Sequence, residues 1–495
     1  MTVGLLRRPW PLLLAAVLAV TAVRLWALTV NATDLYVDEA QYWVWARAPA
    51  WGYFSKPPLL AWLIAGAEAV CGSREACIRA PSPVIWGLTA LATAGVAHSL
   101  FDARAVLWTG LGVLLAPGVA YSARLISTDV PLLLFWSLAL LAFVRLKAGG
   151  DVRWSLLLAA AFGLGLLAKY AMIYFVGGLV LAALVDPASR RAALRPQVWL
   201  ALVGGALLLL PNLAWNAAHD FATLRHTADN AAGSGLSLDP LRALGFLFAQ
   251  AGVVGPVSFV AAGLALLTAL RGQGTPEMRL LLAFCVPLWL ALTAMALITE
   301  ANANWAAPAL IAAAVLAPAM FLSRARGPLW LGLGLAFGLA VQGLLLWTDP
   351  QARTLVVNDR PVFGRTVGWR DFGAATADRA AAEGLTTVVA ERRSELAALI
   401  YYTRDRGLDV RAWPPAPGDA PQDHFQLDRP LTSGPVLAIS SCADPGRFTS
   451  WSEVEALGPL DTFAGAGATR RVWLFRLDAP AEPPQAPAPC PPERR

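Results

Sequence analysis

The stretch "PLLLAAVLAVTAVRLWALTV" (residues 11–30) decides the fold class of this protein. It is almost wholly apolar and has about the ~20 residues that an α-helix needs to cross a bilayer. Arg7 and Arg8 precede it and many further apolar runs follow, which predicts a signal anchor rather than a cleaved signal peptide. Because basic residues favour the cytoplasmic side, the residues that follow this helix are expected outside.

Composition extends this prediction to the whole chain. Of the 495 residues, 57% are hydrophobic and only 15% are charged, which excludes an ordinary soluble protein of this length. The formal net charge of +6 comes from Arg clusters between apolar runs, not from one basic face, so a nucleic-acid partner is not expected. We predict a polytopic α-helical membrane protein.

The remaining apolar runs bring the predicted number of membrane crossings to about eleven. After residues 11–30 they are residues 80–100, 105–122, 130–146, 154–168, 171–185, 197–215, 242–269, 280–298, 306–322 and 328–347. Alternate connections contain the Arg clusters, which are therefore expected in the cytoplasm. The short apolar segment 57–72 is predicted to lie at the outer interface, because a crossing there would move every Arg cluster outside.

The sequence predicts three domains: a transmembrane domain (1–347), an outer α/β domain (348–480) and a Pro-rich, extended or disordered tail (481–495). In the outer domain, "TTVVA", "PVLAIS" and "RVWLFRL" are strand-like and "RRSELAALIYYTRD" is helix-like. Cys71 and Cys77 flank an outer loop, and Cys442 and Cys490 lie in the outer domain. Two disulfides would fit an oxidising compartment, although spacing alone fixes no pairing.

Polar residues gather in the loops that this topology places outside. Charged groups near a bilayer need partners, and such a set is therefore more often functional than incidental. The set comprises Asp38, Glu39, Arg47 and Lys56 in the first loop, Arg124 and Asp129 in the next, and His219, Asp220, Arg225, His226 and Asp229 in a later one.

This set of residue types suits sugar transfer from a lipid carrier. A carboxylate can accept the proton of a hydroxyl group while Trp and Tyr rings stack on a sugar. Cations at membrane depth can stabilise the negative charge that develops on a lipid-linked phosphate as it leaves. The sequence contains no Walker-type phosphate loop or convincing Rossmann fingerprint, which disfavours direct use of a nucleotide sugar.

Four segments also resemble a known family. They are "DEAQYWVWARAPAWGYFSKPPLLAWLI" (38–64), "ARLISTDVPLLLFWSLAL" (123–140), "PNLAWNAAHDFATLRHTADNA" (211–231) and "EANANWAAPA" (300–309). They are similar to bacterial members of the protein O-mannosyltransferase superfamily, polytopic GT-C glycosyltransferases that include the aminoarabinose transferases of lipid A. The resemblance runs in the same order through most of residues 11–325.

The resemblance implies roles for individual residues. Asp38 corresponds to the candidate catalytic base, with Glu39 beside it, and Lys56 corresponds to a lysine that contacts the lipid phosphate. Asp129 and Lys169 match an Asp that opens a span and a Lys between two short spans. The aminoarabinose transferases have a metal-binding Glu before the first Lys, where this chain has Ser55.

We therefore predict a GT-C glycosyltransferase, transferring a hexosyl or pentosyl group by an inverting, single-displacement mechanism. Asp38, Glu39 and Asp129 are the candidate catalytic residues. The candidate phosphate-binding residues are Lys56, Arg79, Arg124, Lys169, Arg225 and His226, and the candidate sugar- or acceptor-binding residues are Tyr42, Trp43, Tyr53 and Asn304. The aromatic residues fit an interfacial belt as well as sugar stacking, and Arg79 fits snorkelling as well as phosphate binding.

The expected partners are a polyprenyl-phosphate-linked sugar donor, membrane lipid and an acceptor that is lipid A, another glycan, a lipid or a protein. The expected location is the bacterial inner membrane, with the active site and the outer domain facing the periplasm. No metal site is evident, although His219, His226 and Asp229 leave a divalent ion open as a cofactor. The alternatives are a transporter or flippase with cavity-facing charges, and a non-catalytic scaffold.

Overall fold

The structure is a computed structural model that describes residues 9–232, 238–414, 431, 434–480 and 484–490. It divides into two compact units. The first comprises Met1–Thr29, Lys56–Leu63 and Val70–Leu346, and the second comprises Val30–Ser55, Ile64–Ala69 and Trp347–Arg495. One limit of this division lies between Leu346 and Trp347, while the three predicted domains stay a prediction. Most of the first loop, Val30–Ser55, groups with the C-terminal region and not with the helical unit. Arg7 and Arg8, which orient the predicted topology, lie outside the described residues.

Helices dominate the chain up to residue 348, and α2 is the one among them that belongs entirely to the second unit. In chain order they are α1 (Pro9–Val30), α2 (Val37–Ala46), α3 (Leu59–Cys71), α4 (Glu75–Arg79), α5 (Pro81–Leu100), α6 (Ala103–Leu114), α7 (Pro117–Ser122), α8 (Asp129–Lys147), α9 (Val152–Ala168), α10 (Tyr174–Val185), α11 (Pro187–Ala193), α12 (Pro196–Leu207), α13 (Leu210–Ala218), α14 (Ala222–Ala232), α15 (Pro240–Val254), α16 (Pro256–Leu270), α17 (Pro276–Ala283), α18 (Val286–Ile298), α19 (Ala309–Phe321) and α20 (Gly327–Thr348).

Within the described residues, six helical segments are long and apolar enough to cross a membrane, or up to seven if one bent pair forms a single span. Five shorter apolar helices accompany them, and one of these is α3, which the sequence predicts at the interface. Every segment predicted to cross the membrane is helical over most of its length. The fold class is therefore as predicted, while the number of crossings stays a prediction.

Four predicted spans are interrupted helices, and this corrects the sequence prediction. The segment 197–215 breaks between α12 and α13, and the segment 280–298 breaks between α17 and α18. The segment 105–122 is interrupted between α6 and α7, before Pro117, which has no backbone N–H to continue the helical hydrogen bonds. The segment 242–269 is broken at Gly255, and α15 and α16 meet at a bend of 116°. Gly255 has φ of +89°, a conformation that glycine adopts without strain, and Pro256 then begins the next helix.

The core of the first unit lies around α8, which is buried on most of its surface. Trp136 of α8 packs edge-on against Phe175 and Phe284, with ring centroids 5.3 and 6.2 Å apart. By contrast, α1 and α20 carry exposed large apolar side chains such as Trp26 and Phe337, as expected for helices that face lipid.

The second unit contains a five-stranded sheet whose strands lie in the order β4 (Asp409–Ala412), β3 (Thr387–Ala390), β5 (Val436–Ser440), β7 (Thr469–Pro480) and β6 (Trp451–Phe463). Strands β3 and β5 are parallel, as are β3 and β4, whereas β7 is antiparallel to both β5 and β6. The remaining elements of this region are β1 (Val356–Val357), β2 (Arg360–Pro361), α21 (Trp369–Ala382) and α22 (Arg393–Tyr402). The predicted small α/β domain is confirmed.

The first loop is an integral part of this unit. The side chain of Asp34 accepts hydrogen bonds from the backbone N–H groups of Trp369 and Arg370, at 2.8 and 3.3 Å, and so caps the N-terminus of α21. The backbone N–H of Leu35 donates to the hydroxyl of Tyr402 over 2.7 Å. These contacts fix residues 34 and 35 immediately before α2.

Two disulfides join the cysteines that the sequence singled out. Cys71 pairs with Cys77, and Cys442 pairs with Cys490, with Cα–Cα distances of 5.8 and 6.0 Å. The second disulfide holds the described part of the Pro-rich tail, residues 484–490, which has no regular secondary structure. The disulfide links this part of the tail to the segment just after β5 through Cys442, and the predicted extended or disordered state of the tail stays a prediction. Residues 481–483 and 491–495 lie outside the described residues.

Candidate active site

In the first unit, three predicted residues meet around one carboxylate. Asp129 is the first residue of α8, and its Oδ1 accepts a hydrogen bond from Lys169 Nζ at 2.7 Å. Its Oδ2 accepts a second hydrogen bond from Asn304 Nδ2, also at 2.7 Å. The side chains of Asp129 and Lys169 are only 10% and 22% exposed, so each charge depends on the other for compensation.

Breaks between helices position Lys169 and Asn304, the two hydrogen-bond donors to Asp129. Helix α9 ends at Ala168, Lys169 is extended with φ of −161°, and a 3₁₀ turn (Tyr170–Ile173) leads into α10. Asn304 lies in a second 3₁₀ turn (Ala303–Ala306). The buried Gln250 fixes that turn, because its Nε2 donates to the backbone carbonyl of Ala303 at 3.2 Å. Gln250 was not among the predicted residues, although a lone Gln in the apolar helix α15 is a signal for such a role.

A second polar network lies next to Lys169. The hydroxyl of Tyr170 donates to Oδ1 of Asn212 at 2.6 Å and accepts from Nδ2 of Asn216 at 3.3 Å. Oδ1 of Asn216 accepts from the backbone N–H of Thr223 at 3.2 Å. Both Asn side chains are fully buried, and this network ties the break at Lys169 to the start of α14. This network was not predicted, although two Asn residues four positions apart on an apolar helix are a signal for it.

The other predicted cations of this unit occupy separate elements. Arg79 is buried at the end of α4, and Lys56 is half-buried just before α3. Arg124 lies over the ring of Tyr121, with its Cζ 5.4 Å from the ring centroid. On α14, Arg225 is exposed and His226 is half-buried. Their predicted contacts with a lipid phosphate stay predictions.

Metal binding was left open around the histidines. The His219 ring stacks on Trp215 with centroids 4.1 Å apart, and its Nδ1 lies 2.8 Å from the backbone carbonyl of Trp215. Within the described residues, no group of three or more His, Cys, Asp or Glu side chains is arranged to hold a metal ion.

In the second unit, Asp38 is the predicted base and lies in the first turn of α2. Its Oδ1 forms an ion pair with Nη2 of Arg393, the first residue of α22. Nε of the same guanidinium donates to Oε1 of Gln41 at 2.6 Å. The Asp38 side chain is 41% exposed, so this carboxylate is far more accessible than that of Asp129.

Glu39, the other member of the acidic pair, is in a different environment. It is buried, and its Oε2 accepts a hydrogen bond from the backbone N–H of Tyr36 at 3.0 Å. This is the reciprocal half of a capping box at the N-terminus of α2. The geometry therefore gives Glu39 a structural function, while the catalytic role implied by the resemblance stays a prediction.

The aromatic side chains of the first loop are packed against neighbours of their own unit. Tyr53 stacks on Trp45 with centroids 4.9 Å apart, and its hydroxyl donates to the Trp45 carbonyl at 3.0 Å. Trp43 packs edge-on against Tyr401 of α22 with centroids 5.0 Å apart, and Tyr42 packs against Trp45. All three predicted sugar-binding rings are buried, and their roles in sugar binding stay predictions.

A buried acid, Glu395, lies two residues beyond Arg393 in the first turn of α22. Burial raises the pKa of Glu395 from 4.5 to about 7, against the opposing effects of the Arg392 charge and backbone N–H. An Oε2 of Glu395 accepts a hydrogen bond from the backbone N–H of Arg392 at 3.4 Å and thus caps α22. This contact helps to fix where α22 begins, and therefore the position of Arg393.

Comparison with known proteins places this architecture. Residues 55–215 match the model of the dolichyl-phosphate-mannose-protein mannosyltransferase family. Over 476 residues, the chain is 34% identical to the lipid A galacturonosyltransferase RgtD of Rhizobium johnstonii, and the match covers 94% of this chain and 98% of the relative.

Solved structures show the same fold. ArnT from Cupriavidus metallidurans has a TM-score of 0.63 at 16% identity in the apo state and when bound to undecaprenyl phosphate. The matches cover 96% and 95% of this chain and 99% and 98% of the two ArnT chains. The sequence identity to RgtD favours a transferase over the transporter and scaffold alternatives. Since that 34% identity extends over nearly the whole of this chain and of RgtD, this protein belongs to the GT-C membrane glycosyltransferases of the protein O-mannosyltransferase and aminoarabinose transferase superfamily.

Proposed function

We propose that this glycosyltransferase moves a hexuronic sugar of the galacturonosyl type from a polyprenyl-phosphate carrier to lipid A. The observation that carries the proposal is the 34% identity to a lipid A galacturonosyltransferase over 94% of the chain. A polyprenyl carrier is supported by the fold shared with ArnT, which has been solved with undecaprenyl phosphate bound.

The proposed reaction is a single displacement with inversion. Asp38 takes the proton from the acceptor hydroxyl, and the oxygen attacks the anomeric carbon as the bond from that carbon to the phosphate oxygen breaks. The electron pair of the broken bond stays on the lipid phosphate. The exposure of Asp38 supports this assignment, because a base must reach the proton that it removes.

Lys169 is the cation that we propose stabilises the departing phosphate. Asp129, whose other oxygen accepts from Asn304, holds Lys169 in a largely buried position, where a fixed charge interacts strongly and needs little reorganisation during the reaction. We assign additional phosphate contacts to Lys56, Arg79, Arg124, Arg225 and His226, as the resemblance implies.

A metal ion is not part of this proposed mechanism. Ser55 stands where the aminoarabinose transferases have a metal-binding Glu, and Asp38 faces a guanidinium group that would repel a cation. The donor set therefore does not fit a divalent metal at Asp38. Dialysis against EDTA is expected to leave the transfer rate unchanged.

We further propose that the protein lies in the bacterial inner membrane with the second unit facing the periplasm. The two disulfides support this orientation, because disulfides persist in the periplasm and are rare in the cytoplasm. A membrane-impermeant maleimide should label a cysteine introduced at the exposed Glu455 in intact spheroplasts. Labelling only after lysis would contradict this orientation.

The central test uses the purified protein in nanodiscs with lipid A and polyprenyl-phosphate-linked galacturonic acid. Mass spectrometry should detect lipid A carrying one added hexuronosyl unit, and NMR should show an anomeric configuration opposite to that of the donor. Parallel reactions with the matching neutral hexose donor, a peptide acceptor and a lipopolysaccharide-core acceptor test the sugar and the acceptor. Transfer of the neutral hexose alone, or to another acceptor alone, would overturn the corresponding part of the proposal.

A further inference from the structure

We propose that Arg393, a residue of the C-terminal α/β region, is a positioning residue for the catalytic base of the reaction. The inference rests on the proposed function in one respect, namely that Asp38 removes the acceptor proton. It adds that α22 has a direct part in the chemistry because its first side chain fixes the direction in which Asp38 points.

The contact joins one guanidinium to two acceptors on one helix. Asp38 and Gln41 are three residues apart on α2, a spacing that places two side chains on the same helix face. Arg393 contacts Oδ1 of Asp38 through Nη2 and Oε1 of Gln41 through Nε. Two donors of a planar group thus bind one face of α2, a geometry that lysine could not reproduce.

Both sides of this contact between Arg393 and α2 are held in place. Gln41 is fully buried, so its side-chain amide is shielded from water. The Trp43–Tyr401 contact packs α2 against α22. The other side is Arg393 itself, whose backbone begins α22 beside the capped residue Arg392. The guanidinium of Arg393 therefore holds the half-exposed carboxylate of Asp38 in a fixed orientation.

The contact with Arg393 leaves the other carboxylate oxygen of Asp38 to accept the proton. Arg393 contacts Oδ1, and the described residues place no hydrogen bond on Oδ2. A carboxylate without this contact could rotate about its last side-chain bond, and Oδ2 would point at the acceptor hydroxyl for only part of the time. Productive orientation of reacting groups affects the rate of the chemical step more than the affinity for substrate.

The chain offers a matched control in the same loop. Arg365 donates from Nη2 to the hydroxyl of Tyr36 and lies over that ring at 5.2 Å. This contact also joins the loop before α2 to the C-terminal region, but it touches neither Asp38 nor Gln41. Arg365→Ala therefore removes an arginine that docks the loop while leaving the proposed positioning contact intact.

The experiment compares full-length wild type, Arg393→Ala, Arg393→Lys, Arg365→Ala and Asp38→Asn in nanodiscs, with transfer of the sugar to acceptor as the readout. We expect Arg393→Ala to lower kcat by about 10²-fold, with the donor KM changed by less than about threefold. Arg393→Lys keeps the positive charge but cannot donate to Asp38 and Gln41 in the same geometry. Its kcat should therefore lie between those of Arg393→Ala and wild type. Arg365→Ala should stay within about threefold of wild type.

Guanidinium ion provides a readout that a purely structural role would not change. Millimolar guanidinium, far below denaturing concentrations, should restore part of the kcat of Arg393→Ala and should not raise that of Arg365→Ala. Tryptophan fluorescence on heating reports whether each variant is folded, and if Arg393→Ala is not folded, the kcat of Arg393→Lys decides in its place.

The outcomes separate the two proposals. Wild-type kcat in Arg393→Ala, or equal losses in Arg393→Ala and Arg365→Ala without guanidinium rescue, would overturn the positioning role. Wild-type kcat in Asp38→Asn would overturn the assignment of the base, and the positioning role with it. An inactive Asp38→Asn together with a fully active Arg393→Ala would leave the proposed function standing and reject only this further inference.

Discussion

The two carboxylates singled out by the sequence, Asp129 and Asp38, occupy opposite kinds of environment. Asp129 is 10% exposed, and both of its oxygens accept hydrogen bonds from side chains of the first unit. Asp38 is 41% exposed and is held through one oxygen by Arg393 in the second unit. A carboxylate with both oxygens occupied is suited to hold a cation, whereas one with an accessible oxygen is suited to accept a proton. Similar sequence signals therefore correspond to different physical roles.

The largest expected effect is on catalysis at Asp38. Asp38→Asn should lower the transfer rate by about 10²–10⁴-fold, the usual contribution of a positioned base, because the amide cannot accept the acceptor proton. Thermal unfolding should be little changed, since the side chain is half-exposed. Radiolabelled sugar transfer in nanodiscs measures the first quantity and tryptophan fluorescence the second. A transfer rate within tenfold of wild type would contradict the division of roles between the two carboxylates.

At Asp129 the comparison predicts a large effect on stability as well. Lys169→Met leaves a buried carboxylate without its cation and should lower the free energy of unfolding by about 3–5 kcal/mol. The double variant Lys169→Met with Asp129→Asn should recover most of that loss, because no uncompensated charge remains, yet stay poorly active. Unfolding by SDS in mixed micelles provides the measurement. Equal stability of the single and double variants would show that the loss does not come from an uncompensated charge on Asp129.

A pH dependence should distinguish the second unit from the first. The pKa of Glu395 is raised to about 7 from 4.5, so the folded protein holds a proton there that the unfolded chain releases. Its stabilising contribution is fully present below about pH 4.5 and is lost as the pH rises through about 7, a total of roughly 3 kcal/mol. Glu395→Gln should remove this dependence and stabilise α22 at pH 8.

Hydrogen exchange in α22, corrected for the intrinsic effect of pH, measures that change between pH 5 and pH 8. The exposed Glu455→Gln serves as the matched control, and its pH dependence should equal that of wild type. Identical profiles for Glu395→Gln and wild type would contradict the raised pKa.

The smallest expected effect is that of removing an exposed ion pair, which serves as the reference for the buried pair of Asp129 and Lys169. Arg406 and Asp378 form an ion pair of 3.1 Å with side chains 52% and 70% exposed. Arg406→Ala should change the free energy of unfolding by less than about 1 kcal/mol, because water and salt screen an exposed pair. The same SDS titration compares it with Lys169→Met, and a similar loss in both variants would remove the distinction between buried and exposed pairs.

Much of the fold followed from local sequence patterns. Apolar runs predicted the helices, and short β-branched runs predicted β3, β5 and β7. Strand β6 was missed because its residues are mostly exposed and Gly458 and Pro459 interrupt its pattern, at a register shift in the pairing with β7. The bend at Gly255 was missed because each half of the segment is apolar and reads as part of one continuous span.

The sequence by itself determined that this is a multi-pass membrane protein with an α/β region after the last apolar helix, because burial in lipid requires long apolar helices and leaves a direct mark on composition. It also indicated Asp38, Asp129 and Lys169, because charged side chains beside apolar runs cost free energy and are often functional. Only the tertiary structure decided their partners. Arg393 lies 355 residues from Asp38 along the chain, and Asn304 lies 175 residues from Asp129. A hydrogen bond depends on distance in space, and folding alone brings such remote side chains within 3 Å of one another.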